Sequence, residues 1–176
     1  MTVMDAIRSR RSVRSYSPKP VPPAVLDKML EALRLAPSAC NYQPWRFIFV
    51  TDEVMRQKLA ATAGEQHFIA EAPLLVVGVG LPGNAYKKMG GHGNSVDVDV
   101  AIALDHLTLA AVEEGLGTCW IGAFREKDVK ALLHIPPEAK VVALTPLGYP
   151  ASADLIRPVQ DGRRKLPQEV IAQERF

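Results

Sequence analysis

Alternating helical and strand patterns predict an α/β or α+β fold built on a mixed sheet, and periodicity leaves the two classes open. Three observations carry the prediction. Val25, Leu26, Met29, Leu30 and Leu33 recur at spacings of three and four, with Asp27, Lys28, Glu31 and Arg34 opposite, which marks an amphipathic helix. Residues 47–50 and 74–79 are short, almost wholly apolar runs of the kind that buried strands show. Residues 98–114 hold a long helical pattern that is apolar on most faces, so that helix belongs at the centre. With 176 residues the chain can bury a substantial core as one domain; 48% hydrophobic against 23% charged content excludes collagen-like, coiled-coil and disordered classes.

The elements follow in order. Residues 2–10 read as a short helix with Met4 and Ile7 on one side, and the basic cluster Arg8, Arg10, Arg11, Arg14 lies at its end. The proline-rich stretch 17–23 breaks that helix, because proline removes donors and restricts the residue before it. Pro22 and Pro23 suit the first turn of the amphipathic helix, which stops at Pro37. Residues 53–63 look helical between the first two strands. Gly115 and Gly117 end the central helix. A third strand is predicted at 118–121, a helix at 125–133 and a fourth strand at 141–144. Beyond Gly148, Pro150, Pro158, Pro167 and Gly162 argue against a self-standing element. Residues 150–176 are therefore expected to form an extended arm that packs on something else, a second subunit included.

Composition bounds the partners. A net charge of +2 does not point to nucleic acid. Two cysteines build no disulfide framework, so reduced thiols and a cytoplasmic location are expected. Residues 1–14 contain no apolar core of a secretory signal. The central apolar stretch carries Asp97, Asp99, Asp105 and His106, and ionised carboxylates are costly in a bilayer, so no membrane contact is expected.

Residues 78–83 match G-x-G-x-x-G after a predicted strand. That fingerprint needs a helix to open at once toward a pyrophosphate, and Pro82, Gly83, Asn84 and the later Gly90, Gly91 and Gly93 do not make one. The motif is read as a strand end entering a loop. In an extended chain Arg10, Ser12 and Arg14 point the same way, and two guanidinium forks with a hydroxyl suit a phosphate. A solvated basic turn is the competing reading. Residues 37–45 join the amphipathic helix to the first strand with small and amide side chains that leave backbone groups free for a flat polar ligand. His67, His92, His106 and His134 are scattered, so no metal is expected. Cys40 has no legible base partner, and Cys119 reads as a small buried residue. No residue is assigned as a catalytic acid, base or nucleophile.

Three segments in this order and spacing resemble the nitroreductase family of FMN flavoproteins: Arg10-Arg11-Ser12-Val13-Arg14, residues 36–45 and residues 115–122. Residues 163–170 are similar to that family's basic C-terminal segment, so the resemblance spans nearly the whole chain. It implies an α+β fold with a central mixed β-sheet flanked by helices, one FMN-binding domain over 1–176, and an intertwined homodimer with two FMN molecules at its interface. FMN would be the cofactor and NAD(P)H the co-substrate. Arg10 and Ser12 would stand at the phosphate, Arg11 nearby, and Arg14 toward the flavin ring. Pro37, Ser38, Ala39 and Asn41 would reach the flavin of the other subunit. Trp120, Ile121 and Gly122 would line the ring, with Gln66 at its polar edge, while Arg163, Arg164 and Lys165 would return to the phosphate. An anion held by both ends of the chain accounts for the basic turn and the basic tail together.

The implied activity is ping-pong transfer of hydride from NAD(P)H through the flavin to a small acceptor such as a nitroaromatic or quinone, without a protein nucleophile. A flavin-binding storage or sensing module without turnover is the alternative. Two departures from the family stand out. Some members place an acidic residue at or beside Gly122. The loop over 82–95 is short, which leaves out the extra helices of larger members and makes Tyr86, Lys87 and Lys88 a candidate mobile lid.

Overall fold

The computed structural model describes residues 1–176 apart from Glu65, Pro158, Gln160 and the side chain of Asp161, so the tail proline Pro158 lies outside the described residues. Strands β1 (Trp45–Val50), β2 (Leu74–Gly80), β3 (Gly117–Thr118) and β4 (Lys140–Gly148) form one sheet in the order β1-β2-β4-β3. The helices are α1 (Val3–Ser9), α2 (Pro23–Arg34), α3 (Glu53–Thr62), α4 (Phe68–Glu71), α5 (Val96–Glu113), α6 (Glu126–Leu133) and α7 (Pro167–Val170). All three ladders are antiparallel: Trp45 faces Gly80, Leu74 faces Leu147 and Gly117 faces Gly148. Antiparallel ladders under packed helices decide for α+β. Among the described residues the sheet is mixed at one point, the parallel bridge between Ser12 and Thr118.

Helices cover both faces of the sheet, which explains why β2 and most of β4 are apolar without alternation. On one face α2 and α5 pack Met29, Leu33, Val100, Leu104 and Leu107 against Val76 and Ala143. On the other, α3, α4 and α6 pack Leu59, Ile69 and Val129 against Val77 and Leu144. The central helix lies where its pattern placed it, with Val100, Ala103, Leu104 and Leu107 fully buried. No helix among the described residues is long and apolar enough to cross a membrane.

The predicted strand over 118–121 is shorter than its sequence suggests. It ends at Thr118, and pairing resumes only at the Ile121–Leu144 bridge. β3 is the edge strand, and the N-terminal segment on its open side pairs with Thr118 alone, so Cys119 and Trp120 leave the ladder. The tail is neither continuous helix nor strand: it makes two 3₁₀ turns, Ala153–Leu155 and Asp161–Arg163, and then α7, with residues 162–176 exposed.

The G-x-G-x-x-G stretch behaves as a strand end. β2 runs into a single 3₁₀ turn, Pro82–Asn84, and the next α-helix begins at Val96. Gly80 has a packing role: a Cβ there would lie 2.5 Å from Val96 Cγ2, inside the contact between α5 and the sheet. Gly80→Ala is therefore expected to lower the stability of the ligand-free protein by about 1–3 kcal/mol, read as a lower urea midpoint at unchanged slope. An equally stable variant that binds dinucleotide less well would restore the phosphate-loop reading.

Candidate functional site

The basic motif begins where α1 stops. Thr2 and Asp5 close the start of α1 with a reciprocal capping box, and the Arg10 N–H donates to the Ala6 carbonyl at 2.8 Å before the backbone turns extended. The extended chain then lies along β3: Val13 N–H donates to Thr118 O at 2.9 Å. Gly117 makes that approach possible, since a Cβ there would stand 2.6 Å from Val13 Cγ2. The strand period puts Val13 inside, 1% exposed, and leaves Ser12 and Arg14 facing out. Tyr16 is also buried; its hydroxyl donates to Val13 O at 2.9 Å, its N–H donates to Glu71 Oε2 at 3.1 Å, and burial pushes its phenol up.

Cys119 follows Thr118 directly, beside this extended segment. That thiol is 2% exposed, and burial pushes it above its ordinary range. The positive charge of Arg14, hydrogen bonding from Ser12 and the charge of Arg10 oppose that shift, in that order. Trp120, Ile121 and Gly122 follow directly. Ile121 is fixed by paired backbone hydrogen bonds to Leu144 at 2.9 and 3.0 Å, and Trp120 is 43% exposed. Gln66 joins them from the segment before α4, its Nε2 donating to Ala63 O at 3.1 Å and to Ala123 O at 3.4 Å.

The tail arrives from the other side. Val159 N–H donates to Arg8 O at 3.0 Å. Arg11 braces the same corner: its guanidinium donates to the Arg10 carbonyl and, at 2.8 Å, to the Arg8 carbonyl. Burial holds Arg11 below its ordinary value, and repulsion from Arg10, Arg164 and Arg157 lowers it further. Arg164 and Arg157 of the tail thus lie within electrostatic reach of Arg11. No ion pair among the described residues neutralises Arg10, Arg11, Arg14 or Arg164. A group with two negative charges and several acceptor oxygens fits that donor set. Arg163 and Lys165 are exposed beside Arg164, and no described hydrogen bond ties them to the cluster.

Residues 37–41 lie elsewhere. The 3₁₀ turn Ala39–Asn41 follows α2, and no described hydrogen bond or ion pair links Pro37, Ser38, Ala39 or Asn41 to the arginines of the same chain. Cys40, Asn41 and Gln43 all have left-handed φ, at 52°, 56° and 48°. Such backbone costs about 1–3 kcal/mol per residue and persists only where its surroundings fix it.

Sequence reasoning missed Arg157 and Asp99. Arg157 lies outside any motif and only the fold brings it to Arg11. Asp99 had a legible signal, a carboxyl on the apolar face shared by Val96, Val100 and Ala103, and it is 2% exposed.

A family profile described as "Nitroreductase family" matches residues 7–80 and 56–149. The chain belongs to the nitroreductase family. It is 32% identical over 184 residues to the FMN reductase (NAD(P)H) of Bacillus subtilis, covering 96% of this chain and 72% of that protein. It is 32% identical over 175 residues to the NADH dehydrogenase of Thermus thermophilus, covering 83% and 85%. Among solved structures, a nitroreductase family protein from Clostridium difficile 630 superposes with a TM-score of 0.88 over 100% of both chains at 25% identity. An FMN-dependent nitroreductase from Clostridium difficile R20291 gives 0.83 at 27% identity over 98% and 99%. Arg157 and Arg164 fall outside the matched residues, and only the fold brings them within electrostatic reach of Arg11.

A corner whose guanidinium groups have no ion pair among the described residues predicts stabilisation by anions. Inorganic phosphate at ten times its dissociation constant is expected to stabilise the flavin-free protein by about 1.4 kcal/mol, a melting shift of a few degrees beyond that of sodium chloride at equal ionic strength. The Arg10→Ala/Arg11→Ala double variant should lose the excess. Equal effects of the two salts on the unaltered protein would contradict the site.

Proposed function

We propose that this member of the family is an FMN-dependent NAD(P)H oxidoreductase that passes hydride to a small acceptor, a nitroaromatic, quinone or similar compound, by a ping-pong route. The carrying observation is the cluster of Arg10 and Arg11 with Arg164 in electrostatic reach, whose positive charge suits the phosphate of a flavin mononucleotide. The Bacillus and Clostridium proteins named for FMN and NAD(P)H support the same reading.

FMN, when bound, supplies the ring that accepts hydride and hands it on. Arg10 and Ser12 hold the phosphate, Arg11 adds charge while its own donors brace the Arg8 and Arg10 carbonyls, and Arg163, Arg164 and Lys165 close from the tail. Arg14 brings positive charge toward the ring, opposing the negative charge that accepting hydride brings. The Ile121–Leu144 pairing gives Trp120 and Gly122 a rigid base from which to line the ring. Gln66 directs its amide toward that same segment.

A second copy of the chain completes the arrangement. A groove of about 330 Å³ between α1, α2 and α5 is lined by Val3, Ala6, Ala32, Leu35, Leu109 and Ala110, and Val3 and Leu35 are 71% and 62% exposed. The arm over 150–176 exposes Leu166, Val170, Ile171 and Phe176. Apolar surface of that extent is normally covered by a partner. In a homodimer Pro37, Ser38, Ala39 and Asn41 reach the flavin of the other subunit, which accords with their separation from the arginines of their own chain. The domain is the whole of 1–176, with the arm as the exchanged part.

The purified protein is expected to be yellow, to release FMN on acid treatment, and to oxidise NADH or NADPH when an acceptor is added. Arg14→Ala is expected to slow anaerobic flavin reduction about tenfold or more, roughly 1.4 kcal/mol in the barrier. Bound flavin without turnover would favour a storage or sensing role. A colourless protein that takes up no added FMN would overturn the proposal.

A further inference from the structure

One buried carboxyl near the start of α5 ties together two loops. Asp99 Oδ1 accepts the Ala39 N–H at 3.0 Å, and Oδ2 accepts the Ser95 hydroxyl at 2.6 Å. Ser95 is fully buried; its N–H donates to Tyr86 O at 2.9 Å and so closes the loop over 86–95. Ala39 opens the segment in which Cys40, Asn41 and Gln43 take left-handed backbone, and within that segment the Ser38 hydroxyl accepts the Gln43 N–H at 2.8 Å. Burying a carboxyl is unfavourable unless it is hydrogen-bonded, and core filling alone would select an apolar residue at this position. The helix dipole of α5 does not require Asp99, because Asp97 stands in the same first turn, exposed and paired with Lys140 at 2.6 Å.

We infer that Asp99 is a positioning residue that locks the flavin-facing loop 37–43 to the 86–95 loop. The inference rests on the reading of residues 37–41 as reaching a flavin. One oxygen fixes the backbone that faces the ring, and the other fixes the closing point of the loop over 86–95. A shift of one loop then moves the other.

The test uses the full chain with Asp99→Ala, Asp99→Asn and Ser95→Ala, and its first readout needs no flavin. Amide hydrogen exchange of the FMN-free Asp99→Ala protein is expected to rise at least tenfold in peptides covering 37–43 and 86–95, with β2 and β4 unchanged. Asp99→Asn keeps an acceptor for Ala39 and should restore protection at 37–43. Ser95→Ala should loosen 86–95 alone, and it decides the matter if Asp99→Ala does not fold. For the loaded enzyme, the FMN dissociation constant is expected to rise at least tenfold in Asp99→Ala and to stay within threefold in Asp99→Asn. In Ser95→Ala the KM for NAD(P)H should rise more than kcat falls. Unchanged exchange in both loops, or faster exchange spread through β2 and β4, would overturn the inference. So would loosened loops with unaltered FMN affinity and KM. If the unaltered protein takes up no FMN, the flavin reading fails while the exchange result still decides the coupling.

Discussion

Repulsion between guanidinium groups is the constraint on which the rest of this structure depends. Arg10, Arg11, Arg157 and Arg164 are close enough for their charges to lower the proton affinity of Arg11, and arginine does not discharge at accessible pH. A fold that assembles such a corner gathers positive charge that a bound anion would offset. A phosphate oxygen cluster turns repulsion into several charge-assisted hydrogen bonds, and this is why the corner reads as a binding site rather than as a wet turn.

The scaffold sets the repulsion against a firm backbone. Residues 12–17 are zipped to both sides of the sheet's end: Val13 to Thr118, Ser17 to Tyr149, and Ala151 to Ser15. These bonds lay the segment after α1 beside the chain leaving β4, so the start and the finish of the polypeptide meet. Gly117 permits the contact on one side, and Val159 continues it to Arg8 on the other. The buried sheet behind, packed by helices on both faces, keeps these edges in register. The site is thus anchored on β3 and the end of β4, while its charge comes from segments outside the sheet.

Much of this was legible in the residues. The spacing in α2, the apolar runs of β1 and β2 and the all-round apolar α5 are local patterns, and each element formed close to its predicted place. The alternation of Arg10, Ser12 and Arg14 was legible for the same reason, since an extended chain has a fixed period. Strand β3 was not, because its length is set by how far the N-terminal segment pairs with it, a long-range event. Sheet direction was hidden too: the ladders are antiparallel, and the parallel bridge at Ser12 depends on how the termini meet. Arg157 and Asp99 act through tertiary neighbours more than fifty residues away, and no periodicity records such partners.

The central claim is that the two ends of the chain act on one anion, and a double-mutant cycle in the FMN dissociation constant measures it directly. Arg11→Ala, Arg164→Ala and the combined variant are compared with the unaltered protein. Groups that share one phosphate are expected to couple by about 0.5 kcal/mol or more. Losses that simply add, or an Arg164→Ala protein that binds FMN as tightly as the parent, would contradict the account.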